Sequence, residues 1–322
     1  MTVSDLSAIG LLIILPLTLV AWLMFAPMSN GLSFLTQAIA AGFVLLALLL
    51  VAVWMLPPWW TPYLYFLLWL AAILWRTPSL IKSRDIPSGR ILDYAGVVLM
   101  IPLAALAIFL TVKAIAGHFP PKSAVVIDMT FPMEPGSYFI ANGGSDPTIN
   151  RHLITLDPKT ERQRAYRGQS YGIDLVKLDK WGLRTAGWRP ADPARYFIFG
   201  EPVLAPCTGN VVAASDGMAD MMVPQTDTSR LEGNHVYISC GEFAVLLAHL
   251  RKNSVLVQDG DHVTQGQKVG EVGNSGQSTE PHLHVHVQRY AEESAPMFSG
   301  DPVFVTFEGN FMVRNERVSI KN

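Results

Sequence analysis

The chain is 322 residues long with a formal net charge of −2, and it is 50% hydrophobic against 16% charged. Residues 1–120 hold only Asp5, Arg76, Lys82, Arg84, Asp85, Arg90, Asp93 and Lys113 as charged side chains. That is too few to cover an aqueous surface, so a single water-soluble globule is excluded. Near-neutral charge, with no basic cluster beyond a short one near residue 80, gives no reason to expect nucleic acid as a partner.

In chain order, four apolar stretches come first: Leu6–Phe25, Phe34–Met55, Trp59–Trp75 and Tyr94–Val112. Each is close to the ~20 residues a helix needs to cross hydrocarbon. They predict a polytopic anchor of four transmembrane helices in a lipid bilayer, residues 1–117. Trp54, Trp59, Trp60, Tyr63 and Trp75 gather at the ends of these stretches, where amphipathic rings prefer to sit. Arg76, Lys82, Arg84 and Arg90 lie in one short loop, which the positive-inside rule places in the cytoplasm. The N-terminus and everything after about His118 then fall on the outer side of a bacterial plasma membrane. No basic region precedes the first apolar run, so it reads as a retained span and not a cleaved signal.

Pro120-Pro121 opens a linker with N-terminal strands over residues 118–160, followed by a second region over 161–322. Short apolar or alternating runs sit between Gly, Pro, Asn and Asp clusters, which are strand and turn signals. The runs are Val125–Ile127, Tyr138–Ala141, His152–Thr155, Tyr196–Phe199, Asn210–Ala214, His235–Ser239, Ala244–His249, Lys268–Val272 and His282–Gln288. Val303–Val305 and Phe311–Val313 suggest a closing hairpin, and Asp216–Arg230 a long loop. An all-β exported domain is expected. Cys207 and Cys240 are its two cysteines. An oxidising compartment permits a bridge between them, and two unlinked buried thiols are the alternative.

Three of the eight histidines fall within five residues, His282, His284 and His286. On a strand they share a face while Leu283 and Val285 point the other way. His235 and His262, at a strand start and a turn, read as surface residues.

The run from Gly260 to Ser278 (GDHVTQGQKVGEVGNSGQS), followed by Pro281-His282-Leu283-His284, resembles the signature of lysostaphin-type (LytM-like) zinc metalloendopeptidases. Gly200–Pro206 with Gly209–Val212, Gly233–Val236 and Leu247–Leu250 resemble the same family in the same order. The resemblance spans about residues 165–290. It implies a small antiparallel sheet of the duplicated-hybrid-motif type, with an open groove, acting on peptidoglycan peptides in cell-wall remodelling. By position, Asp174 and His284 match metal ligands, and His249 and His282 match the catalytic non-ligand histidines. One Zn2+ per chain is implied, with a site left open for water.

Two positions depart from the family pattern. Ser170 stands where the family has its first histidine ligand, and His286 where it has a glutamate. His286 and His152 are the surrogate ligands considered. The opposing reading is a degenerate domain that binds peptidoglycan or regulates another cell-wall hydrolase. A biotinyl or lipoyl carrier shares the hairpin glycines but displays a lysine at a tight turn, whereas Lys268 lies within a predicted strand.

Overall fold

The computed structural model describes residues 3–28, 31–82, 90–291 and 295–321. The chain divides into two compact units, Met1–Ile115 and Ala116–Asn322.

The first unit is helical. Helix α1 (Val3–Ile9) passes through a π-helical turn, Gly10–Ile14, into α2 (Leu15–Phe25). Pro16 near the start of α2 has no N–H to give the preceding turn, and the widened turn lies where that bond is lost. Helices α3 (Gly31–Val51), α4 (Thr61–Lys82) and α5 (Arg90–Ala116) follow.

Among the described residues three helices are long and apolar enough to cross a membrane: Leu6–Phe25, Gly31–Val51 and Asp93–Ala116. The expected third span falls on α4, which is helical and is not one of those three. It opens on Thr61-Pro62, and Arg76 and Lys82 occupy its later turns. Arg76 donates to the carbonyls of Met24 and Ala26, so a cation caps the C-terminal end of α2. Ring donors find carbonyl partners within the bundle, Tyr65 on Leu12 at 2.8 Å and Trp69 on Ala38 at 2.9 Å. In hydrocarbon those donors have no water to turn to. Of the expected cytoplasmic loop, Arg84 lies outside the described residues.

The second unit is built on strands β1 (Val126–Met129), β2 (Gly136–Asn142), β3 (Ile173–Leu178), β4 (Pro202–Leu204), β5 (Gly209–Ser215), β6 (Asn234–Cys240), β7 (Phe243–Leu250), β8 (His262–Val263), β9 (Lys268–Glu271), β10 (Leu283–Arg289), β11 (Pro302–Phe307), β12 (Asn310–Phe311) and β13 (Arg317–Ile320). The main sheet runs β13-β2-β3-β10-β7-β6-β5-β8, with β11 branching from β10 to carry β1 and β12. Its pairings are antiparallel except β1 with β11. Strands β4 and β9 form a separate antiparallel pair.

Alternation sorts the two faces of the sheet. Leu283, Val285 and Val287 of β10 join Val245 and Leu247 of β7 and Val236 and Ile238 of β6 in one buried core. The opposite face carries Tyr237, Leu246 and Ala248, packed against Phe298. The disulfide Cys207–Cys240 ties the approach to β5 to the end of β6.

Three sequence expectations change. His152–Thr155 is not a strand but part of a 3-10 helix, Arg151–Thr155, because the Asn150 side chain accepts the His152 N–H at 3.1 Å and caps it. Tyr196–Phe199 forms turns, held by a lone bridge from Tyr196 to Thr185. Ile173–Leu178, absent from the expected strands, is central and pairs β2 with β10.

Candidate metal centre

The site is a row across the sheet. Asn142, Asp174, His284 and Ala248 are successive register partners on β2, β3, β10 and β7. Directly opposed residues share a face, so the Asp174 carboxylate and the His284 ring meet by register alone. His284 Nδ1 is 2.9 Å from Asp174 Oδ1. His152 reaches the same carboxylate from its 3-10 helix, with Nε2 3.1 Å from each oxygen. His152, Asp174 and His284 each offer a donor atom within 4.8 Å of the others.

Gly172 makes room for this approach. A Cβ there would lie 2.6 Å from His284 Cε1 and 3.1 Å from His152 Cδ2. Two nitrogens and one oxygen, converging in a buried place cleared of a side chain, fit a zinc ion with a position left for water.

His152 is carried there by its surroundings. Asn150, fully buried, donates to the carbonyls of Gly144 and Gly172 at 3.0 and 3.1 Å, binding the helix to the strand that bears Asp174. Ser170 does not face the cluster. Its single hydroxyl hydrogen is shared between the Arg167 carbonyl at 2.6 Å and Thr155 Oγ1 at 2.9 Å, and Thr155 donates to the His152 carbonyl at 2.8 Å. Ser170 thus braces the helix that delivers His152.

His286 stands behind His284. Its Nδ1 is 2.9 Å from His284 Nε2, the ring nitrogen turned away from Asp174. It therefore orients His284 and stands outside the donor group of His152, Asp174 and His284.

His249 owes its direction to a bulge. Asn234 pairs with Leu250 and His235 with Ala248, leaving His249 as the extra residue, with φ +64°. Leu247 and Leu250 consequently enter the same core, which strict alternation forbids. His249 is turned to His282, with ring centroids 4.7 Å apart. Its Nδ1 lies 2.9 Å from the Ser275 carbonyl, and His282 Nδ1 lies 2.9 Å from the Glu280 carbonyl. A carbonyl only accepts, so both Nδ1 atoms carry hydrogen and both rings present a bare Nε2 when neutral. His282 Nε2 is 3.7 Å from Asp174 Oδ1.

Electrostatics follow from burial and company. Burial works against the charge on Asp174, but His152 and His282 by charge and His152 and His284 by hydrogen bonding outweigh it, holding the carboxyl well below its usual range. Burial depresses His284 to about 4, despite the Asp174 hydrogen bond. Burial, with neighbouring imidazoles, also pushes His249 and His286 well down.

His235 is buried and not a surface residue. Strand β6 lies inside the sheet, and Phe298 packs against the ring in a T-shaped contact at a centroid distance of 5.7 Å. His262 is exposed, as expected. Lys268 lies on β9 and pairs with Glu271 at 2.9 Å. Gly172, Asn142 and Arg314, which also shape the site, carry no local sequence signal.

Residues 197–296 match the description Peptidase family M23. They contain His249, His282, His284 and His286, while His152 and Asp174 lie upstream. Peptidoglycan DD-endopeptidase ShyC of Vibrio cholerae serotype O1 is 35% identical over 86 residues, 26% of this chain and 18% of that protein. Peptidoglycan DD-endopeptidase ShyA of the same organism is 32% identical over 127 residues, 38% of this chain and 27% of that one. The chain thus spans less than a third of the length of these curated relatives. The catalytic domain of lysostaphin from Staphylococcus simulans is similar at 23% identity and a TM-score of 0.26, over 41% of this chain and 78% of that one. The chain carries a domain of peptidase family M23.

Proposed function

We propose that this protein is a membrane-anchored zinc endopeptidase that cuts peptide bonds in peptidoglycan, its peptidase region exported and its N-terminal helices in the plasma membrane. The observation that carries the reading is the convergence of His152 Nε2, Asp174 and His284 Nδ1 beside two histidines whose Nε2 atoms are bare. The names of the two Vibrio cholerae relatives support peptidoglycan as the substrate. In this reading residues 1–117 anchor the chain, 118–160 connect it and contribute β1, β2 and His152, and 161–322 supply the rest of the site. Three apolar helices support the anchor. The fourth span and the outward topology rest on the sequence pattern alone.

His152, Asp174 and His284 would hold zinc, with His152 in the role that Ser170 cannot fill. Zinc bound there supplies a Lewis acid that acidifies water and polarises a carbonyl. The chain's own residues do the rest. Neutral His249 and His282 accept the proton of the attacking water at Nε2 and return it to the departing amine nitrogen. Once protonated, either ring also donates to the oxygen on which negative charge develops. Backbone carbonyls of Ser275 and Glu280 keep both rings in the required tautomer. His286 fixes the rotation of His284.

The test is digestion of purified peptidoglycan by the full chain in detergent, with released peptides identified by mass spectrometry. Peptide release that disappears in His282→Ala and with a chelator supports the reading. No release by a zinc-loaded protein refutes it and leaves a domain that binds wall or partner without cutting.

A further inference from the structure

We propose that Arg314 and Asn142 are positioning residues that hold Asp174 so that Oδ1 alone serves the metal. This rests on the metal reading above. Neither residue lies in the matched segment 197–296, and they come from the two ends of the second unit.

The geometry begins with a bulge in β2. Ile140 pairs with Leu175, and Asn142, not Ala141, pairs with Asp174. The extra residue turns the Asn142 side chain onto the site face. Its Nδ2 donates to Asp174 Oδ2 at 2.6 Å. Oδ1 remains toward His284.

Arg314 sets that arrangement. Its Nη2 donates to Asn142 Oδ1, its Nε to the carbonyl of the bulge residue Ala141 at 3.1 Å, and its Nη1 to the Thr148 carbonyl at 3.1 Å. A guanidinium only donates, so the Asn142 amide must turn its oxygen to Arg314 and its NH2 to Asp174. The opposite flip would set an amide oxygen against the carboxylate and NH2 against the guanidinium. One planar cation thereby fixes the bulge, the amide orientation and the loop that runs from Thr148 to Asn150 and His152.

Arg314 is itself held firmly. It is 4% exposed. The adjacent turn is stitched to β2 by Asn315 N–H on the Ile140 carbonyl at 2.9 Å and Ile140 N–H on the Glu316 carbonyl at 3.0 Å. Burial lowers the guanidinium to about 10, with Arg151 adding to that and Asp174 opposing it, so it is charged at neutral pH.

The test measures zinc by competition titration, and cobalt(II) by its visible spectrum, on the full chain in detergent. Asn142→Leu and Arg314→Gln should each weaken zinc roughly 10- to 100-fold, the usual cost of losing an outer partner of a ligand. The cobalt spectrum should shift, while the unfolding midpoint of metal-free Asn142→Leu stays near the parent's. The double variant should lose little more than either single one, since both act through one contact chain. If Arg314→Gln does not fold, Arg314→Lys replaces it, keeping the charge without the three-way fork. Parent-like zinc affinity and cobalt spectrum in folded Asn142→Leu overturn the brace alone. A parent that binds no zinc overturns the metal reading itself, and the two failures are thereby distinct.

Discussion

Gly172→Ala tests the site without removing a donor atom. The residue has φ −59° and ψ 150°, which alanine adopts freely, so no backbone strain is introduced. The added Cβ would fall 2.6 Å from His284 Cε1 and 2.9 Å from the Gln169 carbonyl oxygen. Ordinary carbon contacts begin at about 3.5 Å, so the His284 ring must retreat by ~1 Å. A displacement of ~1 Å at a reacting centre can cost ~100-fold. Overpacking costs about 1–3 kcal/mol, partly offset by the ~0.4–1 kcal/mol gained from a stiffer unfolded chain. The variant should therefore fold, bind zinc more weakly and digest peptidoglycan about 100-fold more slowly. Competition titration, digestion rate and thermal unfolding read the three quantities. A folded Gly172→Ala with parent-like zinc affinity and rate would refute the placement of His152 and His284 around one ion.

Reducing Cys207–Cys240, or replacing both with serine, opens a loop with a sequence separation of 33 and should cost roughly 3–4 kcal/mol in denaturant unfolding, with zinc content unchanged. Glu280→Gln leaves Arg184, now bound at 2.8 and 2.9 Å, as a buried cation without its carboxylate. The loss of about 3–5 kcal/mol should lower the melting temperature by on the order of 10 °C. Acid should destabilise the metal-free protein in two steps. His284 titrates at about 4 when folded against an ordinary 6.5, so the unfolded chain binds the extra proton between those values and stability falls as pH drops from 6.5 toward 4. Asp174, depressed when folded, gives up its contribution only below its ordinary 3.8. Unfolding midpoints across pH check the order, and a flat profile between 6.5 and 4 would contradict it.

The strands around the site were legible because their apolar alternation is local: Leu283, Val285 and Val287 announce a buried face whatever surrounds them. The histidines opposite announce chemistry for the same reason. Asp174 was reached only through family resemblance, since its meeting with His284 depends on a pairing between residues 110 apart. His152 was visible as a donor, but its route to the site was not. Asn150 converts a run that reads as strand into a 3-10 helix, and Ser170 braces it through Thr155. Arg314 and Asn142 are 172 positions apart, and no short-range pattern joins them. His235 illustrates the converse: its burial is decided by Phe298 from a distant segment. In the first unit the scarcity of charge announced the long apolar helices, three of which are long and apolar enough to cross a membrane, while Arg76 of α4 is used internally to cap α2.

The central claim is that His152 has replaced the ligand lost at position 170. The most direct measurement is zinc content per chain, by elemental mass spectrometry, on the full protein beside His152→Ala and Ser170→Ala. Zinc-finger binding of about 10–16 kcal/mol over four ligands gives roughly 3 kcal/mol per ligand, so His152→Ala should lose on the order of 100-fold or more in affinity. The account predicts about one zinc in the parent and in Ser170→Ala, and little in His152→Ala. Zinc retained in full by His152→Ala, or absent from the parent after exposure to excess metal, would contradict it.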